Sequence, residues 1–281
     1  MIFDIRHLKQ IVFVGLRTVL LAGFLMSFSI HQLWSSPALS VRQFVDQGYT
    51  VNVVENENSS PGRTALLIHG LGVSRSSMHG LAVVLAQQGY RVLLPDIPGQ
   101  GPTAHDLKRN YSVDSQADFL ARLLESRGLS KVDVIGNSMG GHIATSFALL
   151  YKDKVQSLVL ISPAGLKTDD MIPYELLIIL PSYSEQLKRS FEWNNHIRRS
   201  IHNGKHSPIN EYLPQVQVPT LIVWGGKDQI IPPALAPTWN QLIPNSKLIK
   251  LPEFGHTPQQ ANPNVFFKTI QPFLASQNSD S

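Results

Sequence analysis

From residue 49 onward, short apolar runs alternate with longer amphipathic stretches. The short runs predict strands at Tyr49–Glu55, Thr64–Ile68, Arg91–Pro95, Val132–Ile135, Val155–Ser162, Thr220–Trp224 and Ser246–Leu251. The first of these alternates, as an edge strand does, whereas the second is continuously apolar, as a strand covered on both faces is. The longer stretches predict helices around Met78–Gln88, Ser112–Arg127 and Met139–Tyr151, and a last helix near Asn262. This alternation predicts an α/β domain with a mostly parallel sheet covered by helices.

The alternation stops between Ala164 and Gln217. We expect this interval to be a cap insertion over the carboxyl edge of the sheet, where open α/β sheets bind ligands. It holds an apolar run, Met171–Leu180, and five basic residues, which are Lys188, Arg189, Arg198, Arg199 and Lys205. In one hypothesis the run forms an acyl-chain pocket or a lid and the basic residues contact anionic head groups. In the other, an apolar helix packs on the sheet and the charges are solvated.

The N-terminal segment, residues 1–38, has the pattern of a targeting sequence. Basic residues precede Thr18–Ile30, in which only three residues are polar, as in a signal sequence. Counted from Ile11, the apolar run reaches about twenty residues, which is enough for a membrane anchor. The small residues of Ser36–Ala38 favour cleavage. Both readings place residues 39–281, the predicted catalytic domain, outside the cytoplasmic membrane, either exported or membrane-anchored.

Composition narrows the classes of partner. With 281 residues, 43% of them apolar, the chain can bury a full core, and only 16% are charged, against about 25% in an average soluble domain, which suggests a lipid or membrane surface. The net charge of +4 is scattered rather than striped, so nucleic acid is not expected as a partner. There are no cysteines, and no metal motif occurs. Gly99–Gly101 lacks the third glycine of a dinucleotide loop, so no cofactor is expected.

The strongest chemical signal is Gly136–Gly140, which reads Gly-Asn-Ser-Met-Gly directly after a predicted buried strand and directly before a helix. This is the context of a G-x-S-x-G nucleophile elbow. Glycines two residues either side of Ser138 allow a turn sharp enough to hold the serine hydroxyl above the sheet. Ser138 is therefore the candidate nucleophile.

A serine needs a histidine base and an acid that orients the base. In the elbow fold the chain order is serine, acid, histidine. Asp228 follows the predicted strand Thr220–Trp224, and His256 follows Ser246–Leu251. Because all three groups leave the same edge of a parallel sheet, we predict that Ser138, His256 and Asp228 form a catalytic triad.

Two backbone N–H groups are the expected oxyanion donors, those of Met139 and Leu71. Gly70 and Gly72 flank the second donor and allow its loop to approach a substrate closely. His69 precedes the serine in the chain, and we interpret it as a structural histidine that shapes this loop. His142, one turn into the helix after the serine, is expected to pack or to line the pocket.

Together these residues resemble the α/β-hydrolase family. The segments that match the family, in the order in which the family has them, are His69–Gly72, Asp96–Gly101, Gly136–Gly141, Ser162–Leu166, Val218–Thr220, Gly226–Asp228 and Gly255–His256. The segment Ser162–Leu166 and the apolar N-terminus look most like membrane-anchored monoacylglycerol lipases and related bacterial lipases and esterases. The resemblance implies an α/β-hydrolase fold over about residues 49–275, with Ser138 as nucleophile, Asp228 as orienting acid and His256 as base. The cap interval, shorter than in those relatives, leaves the substrate class open.

The sequence thus predicts a serine hydrolase of carboxylic esters, monoacylglycerol-like or other acyl esters. Two alternatives remain open. One keeps the triad but breaks carbon–carbon bonds in ring-cleavage products, and the other is a non-catalytic binding protein that has kept the fold.

Overall fold

Eight strands form one sheet in the part of the chain that the computed structural model describes, which is residues 38–56, 62–103, 105–167, 193, 196–197 and 199–277. The strands are β1 (Ser40–Asp46), β2 (Tyr49–Glu55), β3 (Thr64–Ile68), β4 (Arg91–Pro95), β5 (Val132–Asn137), β6 (Val155–Ile161), β7 (Thr220–Gly225) and β8 (Ser246–Leu251). Their order across the sheet is β1-β2-β4-β3-β5-β6-β7-β8. The first two pairings are antiparallel and those from β4 to β8 are parallel. The predicted fold class, a mostly parallel sheet with helices, is confirmed.

Helices cover both faces of this sheet. They are α1 (Ser76–Gln87), α2 (Val113–Ser126), α3 (Met139–Leu150), α4 (Ala236–Leu242), α5 (Pro258–Ala261) and α6 (Pro263–Ser276). Ser112 caps α2 by accepting a hydrogen bond from the Ser115 N–H at 3.2 Å, and Asn262 caps α6 through the Val265 N–H at 3.1 Å. Both caps confirm starts that the sequence predicted.

The side chains of the buried strands point alternately to the two faces of the sheet and pack into two apolar cores, one on each face. Leu66 and Ile68 of β3 join a cluster with Phe119 of α2 and Phe147 of α3. Leu67 of the same strand joins a second cluster with the apolar residues of α1 and α6. Because successive side chains of a strand point to opposite faces, a continuously apolar strand serves both cores.

Strand β1 corrects the sequence prediction. We expected the strands to begin at Tyr49 and Tyr49–Glu55 to be the edge, but β1 pairs with β2 and is itself the edge. The two strands join through Gln47 and Gly48, whose φ angles of 52° and 85° suit a two-residue hairpin turn. Periodicity did not reveal β1 because its apolar residues Val41 and Val45 are exposed.

Much of the predicted cap lies outside the described residues, including the apolar run 171–180 and Lys188, Arg189 and Arg198. In its described parts, Ile197, Ile201 and Ile209 are buried in the apolar core of the face that carries α2 and α3. The N-terminal segment 1–37 also lies outside the description, so its prediction stays a prediction. Within the described ranges, no helix has both the length and the apolar character needed to cross a bilayer.

Candidate active site

Ser138 lies in a sharp turn between β5 and α3, at the carboxyl edge of the sheet. Its φ and ψ angles are 58° and −122°, a backbone conformation that residues other than glycine rarely adopt. A Cβ on Gly136 would lie 2.3 Å from the Gly140 carbonyl oxygen, and one on Gly140 would lie 2.3 Å from the Ile68 oxygen. The glycines two residues either side of Ser138 are thus required by close backbone contacts. The turn has the strained geometry that the elbow motif predicts.

Asp228 and His256 are brought together from the loops that follow β7 and β8. The Nδ1 atom of His256 and the Oδ2 atom of Asp228 are 2.8 Å apart. The other carboxylate oxygen of Asp228 accepts hydrogen bonds from the N–H groups of Ile230 and Ile231, at 2.8 and 3.0 Å. A carboxylate held in this way fixes the orientation of the imidazole and directs Nε2 away from the acid.

The environment of Asp228 keeps it ionised. Its side chain is fully buried, and burial alone would raise the pKa of the carboxyl group. The hydrogen bond and charge of His256 and the two backbone N–H groups outweigh burial, so the pKa of Asp228 lies below its ordinary value. The pair therefore carries a negative charge that can stabilise a protonated imidazole.

Asn137 ties the serine turn to the histidine loop. Its Nδ2 donates to the carbonyl oxygens of Ile161 and His256, each at 3.1 Å. The sequence does not predict a role for Asn137, because any residue can occupy the second position of the motif. No signal within the motif indicated that its partner lies on the loop after β8.

The loop after β3, where the oxyanion donor Leu71 was predicted, lies against the serine. A Cβ on Gly70 would be 3.3 Å from the Cβ of Ser138 and 3.7 Å from its Oγ. Leu71 follows directly, and Met139 begins α3 on the other side of the serine. The two predicted donors therefore belong to segments that adjoin Ser138.

His69 is a structural residue of this loop, as predicted. It is fully buried; its Nδ1 is 2.9 Å from the Gly70 carbonyl oxygen, to which it donates, and its Nε2 accepts from the Ile97 N–H at 3.0 Å. Burial lowers its pKa, so the imidazole is neutral at pH 7. With both nitrogens engaged by the backbone, His69 shapes the loop and is not available as a base.

His142 is also structural. It is buried in α3, with its Nε2 2.8 Å from the carbonyl oxygen of His206. His206 in turn contacts Asp114 of α2, with Nδ1 and Oδ1 2.6 Å apart. This chain of contacts joins the described part of the cap interval to α2 and α3, which confirms the packing role expected for His142.

The hydroxyl of Ser138 and the imidazole of His256 are not hydrogen-bonded to each other in this structure. Catalytic hydrogen bonds are often long before a substrate binds and shorten in the reacting complex. The elements that carry the two residues are nonetheless joined through Asn137. The described residues contain no group of three or more His, Cys, Asp or Glu able to hold a metal ion.

The sequence matches a known protein family over more than half of its length. A family model described as alpha/beta hydrolase fold matches residues 65–206 and 201–263. The chain belongs to the alpha/beta hydrolase family. In an alpha/beta hydrolase the nucleophile, acid and histidine follow one another in the chain, and Ser138, Asp228 and His256 have that order.

Individual alpha/beta hydrolases resemble the chain over most of its length. Lipase 3 of Moraxella sp. (strain TA144) is 30% identical over 237 residues, covering 73% of this chain and 74% of that protein. A 2-hydroxy-6-oxononadienedioate/2-hydroxy-6-oxononatrienedioate hydrolase of Burkholderia vietnamiensis (strain G4 / LMG 22486) is 26% identical over 270 residues, covering 82% and 93%. The crystal structure of a bacterial membrane phospholipase A has a TM-score of 0.74 at 23% identity, covering 97% of this chain and 98% of that chain, which is a likeness of fold.

Proposed function

We propose that this hydrolase cleaves carboxylic esters, monoacylglycerol-like or other acyl esters, through an acyl-enzyme on Ser138. The single observation that carries the proposal is the contact of His256 Nδ1 with Asp228 Oδ2, at 2.8 Å, with the loop of His256 hydrogen-bonded through Asn137 to the turn that holds Ser138. A buried carboxylate, an imidazole oriented by it and a serine in an elbow are the groups that acyl transfer needs.

In the proposed mechanism, His256 removes the proton of the Ser138 hydroxyl as the oxygen attacks the ester carbonyl carbon. The backbone N–H groups of Leu71 and Met139 stabilise the negative charge that develops on the carbonyl oxygen, each contributing roughly 3–4 kcal/mol. His256 then protonates the departing alcohol. A water molecule, deprotonated by His256, attacks the acyl-enzyme, and the acid leaves as Ser138 regains its proton.

A fluorophosphonate probe tests the nucleophile. Wild-type protein should become labelled at Ser138 and should hydrolyse short and medium p-nitrophenyl esters, whereas Ser138→Ala should lose labelling and about 10⁴–10⁶ of the turnover. Ser162→Ala is a matched control, since Ser162 follows the neighbouring strand β6, is buried and also has a positive φ, of 41°. This control should still be labelled. A folded wild-type protein that the probe does not label would favour a non-catalytic binding protein.

The identity with the Burkholderia vietnamiensis hydrolase supports a second candidate, cleavage of a carbon–carbon bond with the same residues. A panel of acyl esters assayed beside a 2-hydroxy-6-oxo-dienoic acid decides between the two. A kcat/KM for the best ester at least about tenfold higher than that for the dienoic acid supports the esterase; this ratio corresponds to about 1.4 kcal/mol in transition-state stabilisation. The reverse ratio supports the carbon–carbon hydrolase.

We also propose that the chain is exported or membrane-anchored, because the sequence of residues 1–38 has the pattern of an anchor or an export signal. Expression of the full chain in bacteria, followed by fractionation and N-terminal sequencing, tests it. Recovery of the intact chain in the cytoplasmic fraction would contradict the predicted location.

A further inference from the structure

The direction of the Leu71 N–H, the proposed oxyanion donor, depends on the two peptide units that meet at the Leu71 Cα. Each unit is planar, so only the φ and ψ angles of Leu71 turn one unit against the other. The loop is flexible by composition, because Leu71 lies between Gly70 and Gly72, and Gly72 is exposed with a φ of 74°. Contacts from outside the loop must therefore fix the direction of this N–H.

Buried side chains hold both peptide units. The Gly70 carbonyl, which shares a peptide plane with the Leu71 N–H, accepts from Nδ1 of His69 at 2.9 Å. The Gly72 N–H belongs to the unit after Leu71 and donates to Oε1 of Gln100 at 2.7 Å. With one atom of each unit held, the φ and ψ angles of Leu71 are set, and so is the direction of its N–H.

Gln100 is itself firmly held in the segment that follows β4. Its side chain is buried, and its backbone N–H donates to the Ile97 carbonyl at 2.9 Å. Its own carbonyl accepts from the Thr103 N–H at 3.2 Å and from the Thr103 hydroxyl at 2.7 Å. The acceptor for the Gly72 N–H thus projects from a backbone turn that is hydrogen-bonded on both sides.

Stability alone does not explain a glutamine at position 100. Its Nε2 is buried without a hydrogen-bond partner among the described residues, which costs free energy. Gly72 is exposed, so its N–H would bond to water if an apolar residue of similar size replaced Gln100. Such a replacement removes a buried unpaired donor and leaves the other group solvated. The glutamine is better explained by the loop that its Oε1 holds.

We infer that Gln100 is a positioning residue of the reaction, which directs the Leu71 N–H toward the substrate carbonyl oxygen by holding the Gly72 N–H. The inference rests on the proposed function and deepens it, since it names the group that orients one oxyanion donor. Gln100 acts through the loop and not on the substrate. Because the negative charge on the carbonyl oxygen develops only in the transition state, the effect of Gln100 belongs to that state.

Gln100→Met tests the inference, since methionine has a similar size and no oxygen to accept the Gly72 N–H. With p-nitrophenyl butyrate, kcat/KM should fall by about 10–100-fold, which is the effect of a misdirected donor. Rates are expressed per site that a fluorophosphonate labels at completion, so that unfolded protein does not contribute.

A transition-state analogue, hexyl trifluoromethyl ketone, supplies a readout that a merely structural role would not move. Ser138 Oγ adds to the ketone carbon, its proton passes to His256, and the carbonyl oxygen takes the negative charge. Because this adduct has the same oxyanion as the transition state, its inhibition constant should rise in Gln100→Met by about the factor by which kcat/KM falls.

Gln116→Met is the matched control. Gln116 is also a buried glutamine, and its Nε2 donates to the Pro98 carbonyl at 3.0 Å, so it supports the same segment from α2. Pro98 is buried, so loss of this donor should lower Tm by roughly 2–8 °C. The kcat/KM per labelled site and the inhibition constant should stay within about threefold of the wild type. Gln100→Met should do the reverse, with a change in Tm of less than about 3 °C.

Hydrogen exchange in the wild-type protein tests the contact without any substitution. The Gly72 N–H should exchange at least about tenfold more slowly than an unprotected amide, although the residue is exposed, because a buried acceptor holds it. Exchange at the unprotected rate in folded protein would overturn the inference even if Gln100→Met does not fold.

The outcomes separate the two proposals. If the wild type hydrolyses the ester and binds the ketone, and folded Gln100→Met does both equally well, the positioning role is wrong and the esterase proposal stands. Equal losses of kcat/KM in Gln100→Met and Gln116→Met would also overturn the positioning role, since they would indicate general loosening of the segment. If the wild type neither hydrolyses esters nor is labelled at Ser138, the proposed function fails and the inference fails with it.

Discussion

The side-chain amide of Asn137 donates a hydrogen bond to the backbone carbonyl of His256, with an N···O distance of 3.1 Å, although 119 residues separate the two in the chain. A second hydrogen bond from the same nitrogen reaches the carbonyl of Ile161 at the end of β6. One buried amide therefore joins the ends of two neighbouring strands to the loop that carries the proposed base. The position of His256 relative to Ser138 depends on this link.

Replacement of Asn137 by alanine should lower kcat by about 10–100-fold, since a displacement of about 1 Å at a reacting group has an effect of that size. The Ile161 carbonyl would keep the Ser138 N–H as a donor, at 3.0 Å, but the His256 carbonyl would lose the hydrogen bond from Asn137, which should reduce the free energy of unfolding by about 1–3 kcal/mol. Steady-state assays and urea denaturation measure the two effects. Asn245→Ala is the control, because the Asn245 side-chain amide donates to the carbonyl of Gln217 near the amino ends of β7 and β8, at the end of the strands opposite to the site. Loss of activity in both variants alike would contradict a positioning role for Asn137.

The catalytic candidates could be predicted from the sequence because each follows a strand whose pattern is clear. β5, β7 and β8 are recognisable runs, and parallel strands place their carboxyl ends together, so Ser138, Asp228 and His256 had to share one edge of the sheet. The observed Asp228–His256 contact follows from that topology.

The residues that the sequence did not reveal act through backbone groups distant in the chain. Gln100 accepts from the Gly72 N–H, and Asn137 donates to the His256 carbonyl. Backbone partners leave no residue type to recognise, so neither contact has a sequence pattern. β1 was missed for a different reason, because its exposed valines do not alternate into a core.

Asp228→Asn should lower kcat by about 10⁴ while the fold persists. The amide lacks the charge that stabilises a protonated imidazole and can present an N–H to Nδ1 of His256, which favours the wrong tautomer. Its remaining oxygen can still accept from the N–H groups of Ile230 and Ile231 and so hold the turn. Burst kinetics with p-nitrophenyl esters measure the acylation step. Asp153→Asn, an exposed carboxylate in the short helix Lys152–Lys154, should behave as the wild type. Full activity in Asp228→Asn would remove Asp228 from the triad.

Gly140→Ala should unfold the protein or destabilise it by about 3 kcal/mol or more. A Cβ there would be 2.3 Å from the carbonyl oxygen of Ile68 and 2.6 Å from that of His69, so the helix after the serine would have to move away from β3. Thermal denaturation gives the comparison. Gly128→Ala is the matched control, since Gly128 has a φ of 63° and nothing within 4 Å of its added Cβ. It should cost only about 1 kcal/mol, from backbone conformation alone. Equal costs in the two variants would show that the close contact at Gly140 does not exist.

His142 should make the stability of the protein depend on pH between about 4 and 6.5. Burial lowers its pKa from 6.5 to about 4, and the hydrogen bond to the His206 carbonyl offsets only part of that effect. Between these pH values the unfolded chain binds a proton at this residue and the folded chain does not. The contribution of neutral His142 to the free energy of unfolding should therefore be complete above pH 6.5. It should fall by about 3 kcal/mol as the pH is lowered to 4. Urea denaturation at a series of pH values measures the slope.

Two variants separate this titration from the packing of the ring. His142→Gln keeps an amide donor for the His206 carbonyl and cannot titrate, so its stability curve should lose this slope while its stability at pH 7 falls little. His142→Ala should also lose the slope, but the cavity it leaves should lower stability at pH 7 by about 2 kcal/mol or more. If either variant keeps the slope of the wild type, the proton is taken up elsewhere, and the neutral buried imidazole that joins α3 to the cap interval is not the group that limits stability in acid.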